Sequence, residues 1–143
     1  MRGIFLAAVL NSVFAQPAGQ PYAYVAIWTA AHAGQTFVRL ELTMVNGTLA
    51  GRISLGDIHL NPLGEVDSVL KPAQNFTQIF DVAIRDGALF FARKDDNEID
   101  LFEMRLVDGE ARLIFAATEE DRAKLAREGL PLPSPIRLTK SLR

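Results

Sequence analysis

The chain has 143 residues, of which 49% are hydrophobic and 22% charged, and its formal net charge is -2. This length and composition predict one globular domain with a sizeable core, and the weakly acidic charge argues against a nucleic-acid-binding protein. Cysteine is absent, which excludes disulfides, thiolate metal sites and thiol nucleophiles.

The N-terminal stretch "MRGIFLAAVLNSVFAQ" predicts a secretory signal peptide. Arg2 precedes a short apolar run, and Val13 and Ala15 occupy the positions that a signal peptidase reads. The run is too short for a bilayer-spanning helix; a buried N-terminal strand or helix is the alternative. We therefore expect a signal peptide at residues 1–15, a flexible lead-in at 16–21 and one domain at 22–143. The protein would be exported, to the periplasm or outside the cell, with no membrane insertion after cleavage.

The next segment predicts the first three strands. "YAYVAIWTA" (22–30) is rich in aromatic and β-branched residues, and Gly34 follows it as a turn residue. "TFVRLELTMV" (36–45) alternates apolar and polar residues, as a half-buried antiparallel strand does. Asn46-Gly47 favours a type I′ turn. A return strand at 48–55 carries Gly51 on its apolar face, which indicates a bend or close packing.

Two more hairpins follow, with tips at Asp86-Gly87 and Asp108-Gly109. Their predicted inward positions are Phe80, Val82, Ile84, Leu89, Phe91, Phe102, Met104, Leu106, Ala111, Leu113 and Phe115. Residues 56–78, which carry two prolines and two glycines, predict a long loop with a short strand near 58–60. Such a loop is either functional or an irregular rim.

The chain ends with a predicted helix and a last strand. In "TEEDRAKLAREG", Thr118 is the expected N-cap and Gly129 the C′ residue, and Ala123, Leu125 and Ala126 form a narrow apolar stripe for docking. "IRLTK" predicts a closing strand. Because one helix cannot cover so many strands, the fold class is mainly β. We predict an antiparallel up-and-down meander that closes into a small barrel, with the helix before the last strand.

This order of elements resembles the lipocalin-like (calycin) architecture, although Ala26-Ile27 precede Trp28 where true lipocalins have Gly-x-Trp. The segments "GQTFVRLEL", "ISLGDI", "IFDV", "FARKD", "FEMRL" and "PIRLTK" are similar to small exported β-rich domains of acidobacterial type. That family carries no assigned activity. The resemblance implies export and β-structure and transfers no catalytic residue.

The chain offers little for catalysis or metal binding. Its two histidines, His32 and His59, lie in a predicted turn and in the irregular segment, and no Gly-x-Ser-x-Gly motif is present. We predict no enzyme and no cofactor. The alternatives are a hydrolase that uses the loop carboxylates Asp57, Glu65 and Asp67, and, separately, one that uses Ser54 or Ser68 near His59.

The acidic run "KDDNEID" lacks the central glycine of a calcium loop. It predicts a solvated hairpin tip at Asp96, with Asp100 at a barrel mouth and no metal. The charged residues that alternate with apolar ones predict ion pairs on the outer face; an anion-binding patch is the alternative. They are Asp81, Arg85, Arg93, Lys94, Glu103 and Arg105.

The inward aromatic residues predict either a packed core or a lined pocket. The candidate ligand-binding residues are Trp28, Phe80, Phe91, Phe102, Met104 and Phe115. The sequence thus predicts an exported barrel domain that binds a small apolar ligand or a protein partner. The alternative is a structural or interaction module with a solid core.

Overall fold

The computed structural model describes residues 19–141. The predicted signal peptide at 1–15 and residues 16–18 of the lead-in lie outside the described residues. The strands are β1 (Ala26–His32), β2 (Gln35–Val45), β3 (Thr48–Leu55), β4 (Asp57–Leu60), β5 (Val66–Lys71), β6 (Thr77–Arg85), β7 (Ala88–Asp95), β8 (Glu98–Val107), β9 (Glu110–Phe115) and β10 (Ile136–Ser141). A 3₁₀ helix (Pro21–Tyr24) precedes β1, and helix α1 (Glu119–Arg127) precedes β10.

Eight strands form a closed antiparallel barrel in the order β1-β10-β9-β8-β7-β6-β3-β2. The two remaining strands, β4 and β5, pair with each other as a separate second sheet. The predicted fold class, an up-and-down meander that closes into a barrel with one helix before the last strand, is confirmed. The predicted short strand near 58–60 is β4, whereas β5 occupies a stretch predicted as loop.

The hairpin turns form as the sequence predicts. Asn46 and Gly47 have φ angles of 53° and 79°, the positive values that a type I′ turn requires. Asp86-Gly87 and Asp108-Gly109 repeat this pattern, and Ala33-Gly34 joins β1 to β2 in the same way. These tight connections place consecutive strands side by side, as an up-and-down barrel needs.

The 3₁₀ helix closes one end of the barrel, which we call the closed end. It lies against β2 and β3 and buries Tyr24 completely. Pro21 occupies its first turn, where a missing N–H costs nothing. The predicted strand over 22–30 is therefore wrong at its start: residues 22–24 are helical, and β1 begins at Ala26 and continues to His32.

The barrel interior is filled by side chains in its middle and at the closed end. The fully buried large side chains include Trp28, Val38, Leu40, Ile53, Leu89, Phe91, Met104 and Leu138. The Trp28 indole N–H donates to the Tyr24 carbonyl oxygen at 2.9 Å, which joins the 3₁₀ helix to this core. Within the barrel interior, packing of this kind leaves space at the opposite end.

A β-bulge in β6 overturns one predicted inward position. The pairing of β6 with β7 shifts between Phe80 and Ala83, and Asp81 adopts a φ of 51°. An extra residue in one strand reverses the alternation on either side of it. Ile79 is therefore buried in the core, and Phe80 lies opposite Ala92 on the outer face. Beyond the bulge, Val82 and Ile84 pack against the core as predicted.

Helix α1 has the predicted termini but not the predicted docking face. The Thr118 hydroxyl accepts the Asp121 N–H at 3.1 Å, and the Asp121 carboxylate accepts the Thr118 N–H at 3.0 Å, which completes a capping box. Gly129 follows with a φ of 69°. No residue of the helix is buried, so the expectation of an apolar stripe packed onto the barrel is wrong.

Candidate functional site

A cavity of about 460 Å³ lies at the end of the barrel away from the 3₁₀ helix, which we call the open end. The residues that line this mouth cavity come from seven barrel strands, from the second sheet with the residues after it, and from the extended segment before β10. They are Phe37, Val38, Leu55, Gly56, Asp57, Ile58, Lys71, Pro72, Gln74, Asn75, Thr77, Arg93, Asp95, Asp100, Phe102, Leu113, Phe115, Pro133, Ser134 and Ile136. This volume falls in the range of small-molecule sites in proteins.

Three phenylalanine rings form a row across the barrel wall at the cavity. Phe91, Phe102 and Phe115 are direct cross-strand neighbours on β7, β8 and β9. The rings of Phe91 and Phe102 are stacked with centroids 5.3 Å apart, and those of Phe102 and Phe115 are tilted at 5.6 Å. Phe102 and Phe115 line the cavity, while Phe91 is 2% exposed beneath them. The row gives the cavity a rigid aromatic surface.

A charged cluster stands beside this row. Arg93 follows Phe91 by two residues and therefore points to the same, inner face of the barrel. Its Nε donates to Asp100 Oδ2 at 3.0 Å, and its Nη2 to Asp95 Oδ2 at 3.4 Å. The side chains of Arg93 and Asp100 are 15% and 22% exposed, and that of Asp95 is 59% exposed.

The predicted outward position of Arg93 is therefore wrong, while Asp100 lies at the barrel mouth as predicted. An inward charge is tolerated here because the position is near the strand end and is satisfied by two carboxylates. Of the other predicted cross-strand ion pairs, none forms across strands within residues 19–141: Glu103 pairs with Arg105 on its own strand, and the Arg85 guanidinium instead lies 4.2 Å from the centroid of the Phe90 ring.

Backbone contacts fix the second sheet beside the mouth cavity. Gly56 N donates to the Phe37 carbonyl oxygen at 2.8 Å, and Ala73 N to the Thr36 carbonyl oxygen at 2.9 Å. At the far tip, the Ser134 N–H and hydroxyl both donate to carbonyl oxygens, those of Gly64 and Leu63, at 2.8 Å each. The segment predicted as a loop or irregular rim is thus an ordered border of the cavity.

The candidate ligand-binding residues are only partly brought together. Phe102 and Phe115 line the mouth cavity, and Phe91 supports them. Trp28 and Met104 are 1% and 0% exposed in the solid part of the core and do not line it, and Phe80 lies on the outer face. Sequence reasoning missed Arg93 and Asp95 as lining residues, although counting by twos from Phe91 along β7 places both on the inner face.

The residues of the hydrolase alternative do not converge on the cavity. His59 Nδ1 lies 2.7 Å from Asp67 Oδ1, and the Ser68 hydroxyl donates to the same oxygen at 3.4 Å. The serine therefore bonds the carboxylate rather than the imidazole. Glu65 accepts from Asn61 at the tip of the second sheet, and only Asp57 of the three carboxylates lines the cavity.

Among residues 19–141, four groups have clearly shifted pKa values, and none of the four lines the mouth cavity. A hydrogen bond from Arg39, with a second from Arg52, lowers the pKa of Glu41. A hydrogen bond from Arg137 lowers the pKa of Glu110, and Glu110 raises the pKa of Arg137 in turn. Burial raises the pKa of Tyr24 at the closed end. These shifts belong to outer-face ion pairs and to one buried hydroxyl.

Within residues 19–141, no three side chains of the histidine, cysteine, aspartate or glutamate type are grouped so that they could hold a metal ion. No helix in the same range has the length and apolar character needed to cross a membrane.

Fold and site define a class: a small, closed, eight-stranded antiparallel barrel, consistent with calycin-like topology, with a cavity at one mouth. No protein-family model, curated protein or solved structure matches the chain. The similarity to exported domains of acidobacterial type therefore stays a prediction.

Proposed function

We propose that the chain is a non-enzymatic, exported binding domain that takes a small apolar ligand into the mouth cavity. The observation that carries the proposal is the cavity itself. Its barrel side is mainly apolar and carries the cluster of Arg93, Asp95 and Asp100, while further polar residues from the second sheet and the neighbouring segments stand at its rim. Pockets that combine apolar walls with fixed polar groups are typical of small-molecule sites. The predicted signal peptide supports a role outside the cytoplasm.

The packing of the barrel supports a ligand of limited size. Trp28 and Met104 fill the middle of the barrel, so a ligand entering from the open end would stop at the phenylalanine row. The aromatic wall of the cavity is made of strand residues whose backbones are fixed by ladder hydrogen bonds. A preformed pocket on rigid elements lowers the entropy lost on binding.

The test is titration with N-phenyl-1-naphthylamine, a neutral apolar dye that fluoresces in apolar surroundings. We expect saturable binding at one site per chain. At a free dye concentration near 100 times the dissociation constant, binding would stabilise the fold by about 2.7 kcal/mol and raise the melting temperature by roughly 11 °C.

A matched pair of variants locates the dye. Leu55→Trp places a bulky ring in the cavity and should weaken dye binding by about tenfold or more. Leu101→Trp makes the same change on the outer face, where Leu101 is 42% exposed, and should leave binding unchanged. A signal that never saturates, or that is equal in both folded variants, would reject the proposal.

A protein partner is the second candidate, and exposed leucines favour it. Leu63, in the turn between β4 and β5, and Leu70 of β5 are 75% and 69% exposed, and Leu130 and Leu132 after α1 are 52% and 42% exposed. The hydrogen bonds of Ser134 hold Leu63 close to the chain segment that carries Leu132. Sedimentation across a concentration series tests a second copy of the chain as this partner. The variant Leu63→Ser should abolish any self-association and leave dye binding intact.

A further inference from the structure

We propose that the ligand of the mouth cavity is an amine, an apolar molecule with a protonated nitrogen. The nitrogen would lie against Asp95 and Asp100, and the apolar part would lie on the rings of Phe102 and Phe115. This inference rests on the proposed function and specifies the chemistry of its ligand.

The first argument is the charge of the cavity. Its charged lining residues are three carboxylates and two cations, so the lining carries one net negative charge; they are Asp57, Asp95, Asp100, Lys71 and Arg93. Lys71 is exposed at the outer border, whereas Asp100 is 78% covered beside the aromatic row. Electrostatic complementarity therefore favours a cationic ligand.

The second argument is that Arg93 is already engaged. Lys71 lies at the exposed border, so an anionic ligand beside the aromatic row would need this guanidinium, but its Nε and Nη2 bond the carboxylates of Asp100 and Asp95. A carboxylate ligand placed there would face two aspartates of like charge. Arg93 is therefore a poor site for an anion, and its two hydrogen bonds instead hold the carboxylates of Asp95 and Asp100 in position.

The third argument is that Asp95 and Asp100 each keep one carboxylate oxygen that can still accept a hydrogen bond. Arg93 bonds Oδ2 of each aspartate, and no hydrogen bond to either Oδ1 is found among residues 19–141. An ionised carboxylate accepts at both oxygens, so a donor in the cavity has two oxygens to bond. The rings of Phe102 and Phe115 add π faces, which attract cations and repel anions. The aromatic row and the two carboxylate oxygens that accept no hydrogen bond therefore both favour a positively charged ligand.

The experiment compares octylamine, octanol and octanoate by calorimetric titration at neutral pH and low salt. Octylamine and octanol share an octyl chain, whereas the apolar chain of octanoate is one carbon shorter because its eighth carbon is the carboxylate, a difference of about fourfold in affinity. Beyond that difference, we expect octylamine to bind about tenfold more tightly than octanoate, with octanol between them, because the ammonium gains charged hydrogen bonds. The preference should shrink as salt is added.

Variants test the named residues. Asp100→Asn and Asp95→Asn should each reduce the ratio of octylamine to octanoate affinity severalfold; Asp95 is largely exposed, so its replacement should not impair folding. Asp96→Asn is the control, since Asp96 occupies a turn outside the cavity with a positive φ that asparagine also adopts.

The outcomes separate the two proposals. Equal affinities for the three compounds, or tighter binding of octanoate, would overturn the amine inference while leaving ligand binding in place. The same holds if Asp100→Asn and Asp96→Asn behave alike in folded proteins. If none of the three compounds binds and the dye also fails, the proposed function itself is wrong.

Discussion

Replacing Tyr24 with phenylalanine should stabilise the protein, which is an unusual outcome for a change in a core. Tyr24 is fully buried at the closed end, and its hydroxyl has no hydrogen-bond partner among residues 19–141. A buried hydroxyl without a partner costs about 1–3 kcal/mol relative to one that stays in water. The variant Tyr24→Phe removes that cost and keeps the ring in place.

The expected gain is smaller than the full cost, because removing the oxygen also removes its packing contacts and leaves a small void. We expect the free energy of unfolding to rise by about 1 kcal/mol, which corresponds to an increase of roughly 4 °C in the melting temperature of a domain this size. Tyr22→Phe is the matched control, since Tyr22 is 62% exposed and its hydroxyl reaches water. That change should stay within about 0.5 kcal/mol of zero.

Urea unfolding at several pH values is the assay. Burial raises the pKa of Tyr24 above its usual 10.0, and the Arg105 guanidinium partly offsets this. Stability that depends on a neutral Tyr24 is complete below pH 10.0 and is lost as the pH rises through the folded-state pKa. The advantage of Tyr24→Phe should therefore grow above pH 10. A loss of 1 kcal/mol or more at neutral pH would refute the reasoning, because it would mean that the hydroxyl makes a bond in the folded protein.

Two other changes test the barrel wall. A Cβ at Gly51 would lie 2.2 Å from the Glu41 carbonyl oxygen, so Gly51→Ala should push β2 and β3 apart. We expect this change to lower the free energy of unfolding, measured in urea, by about 3 kcal/mol. Gly19→Ala is the control, because a Cβ at Gly19 would lie in open space and should leave the free energy of unfolding unchanged. Hydrogen bonds from Arg39 and Arg52 lower the pKa of Glu41, so Glu41→Gln should cost roughly 0.5 kcal/mol at neutral pH after allowance for exposure. That cost should fade as the pH drops below 4.5, and a constant cost through the acid range would contradict the pairing.

The barrel was predictable because short-range signals specify most of it. Alternation by twos identifies the inner face of β2, β3, β8 and β9, and four turns carry a glycine that supplies the positive φ of a tight hairpin. Antiparallel neighbours joined in this way need no long-range information to find each other. Barrel closure then follows because the apolar face of the sheet must be covered and the chain has too few helical residues to cover it.

The sequence predictions fail where a local feature departs from the regular alternation of a strand. At Asp81 the bulge shifts the alternation of inward and outward residues. Aspartate can adopt the required φ of 51°, but an aspartate in a strand does not by itself predict a bulge. At Pro21 the proline favours a helical first turn in a stretch whose aromatic residues favour a strand. In β5 the pairing partner β4 is only four residues long, so the alternation is too short to be distinguished from a loop.

The mouth cavity depends on the combination of these local events with distant contacts. The phenylalanine row requires the registers of β7, β8 and β9 to align Phe91, Phe102 and Phe115, and Arg93 joins it because the alternation continues two residues beyond the apolar run. The same alternation that packs the middle of the barrel solidly thus places a charge at its open end. Because that charge is held between two aspartates, the sequence feature that looked like a solvated outer-face pattern becomes the polar side of the cavity. The chemistry of this site therefore resides at the strand ends, where the apolar pattern gives way to charge and the barrel interior meets solvent.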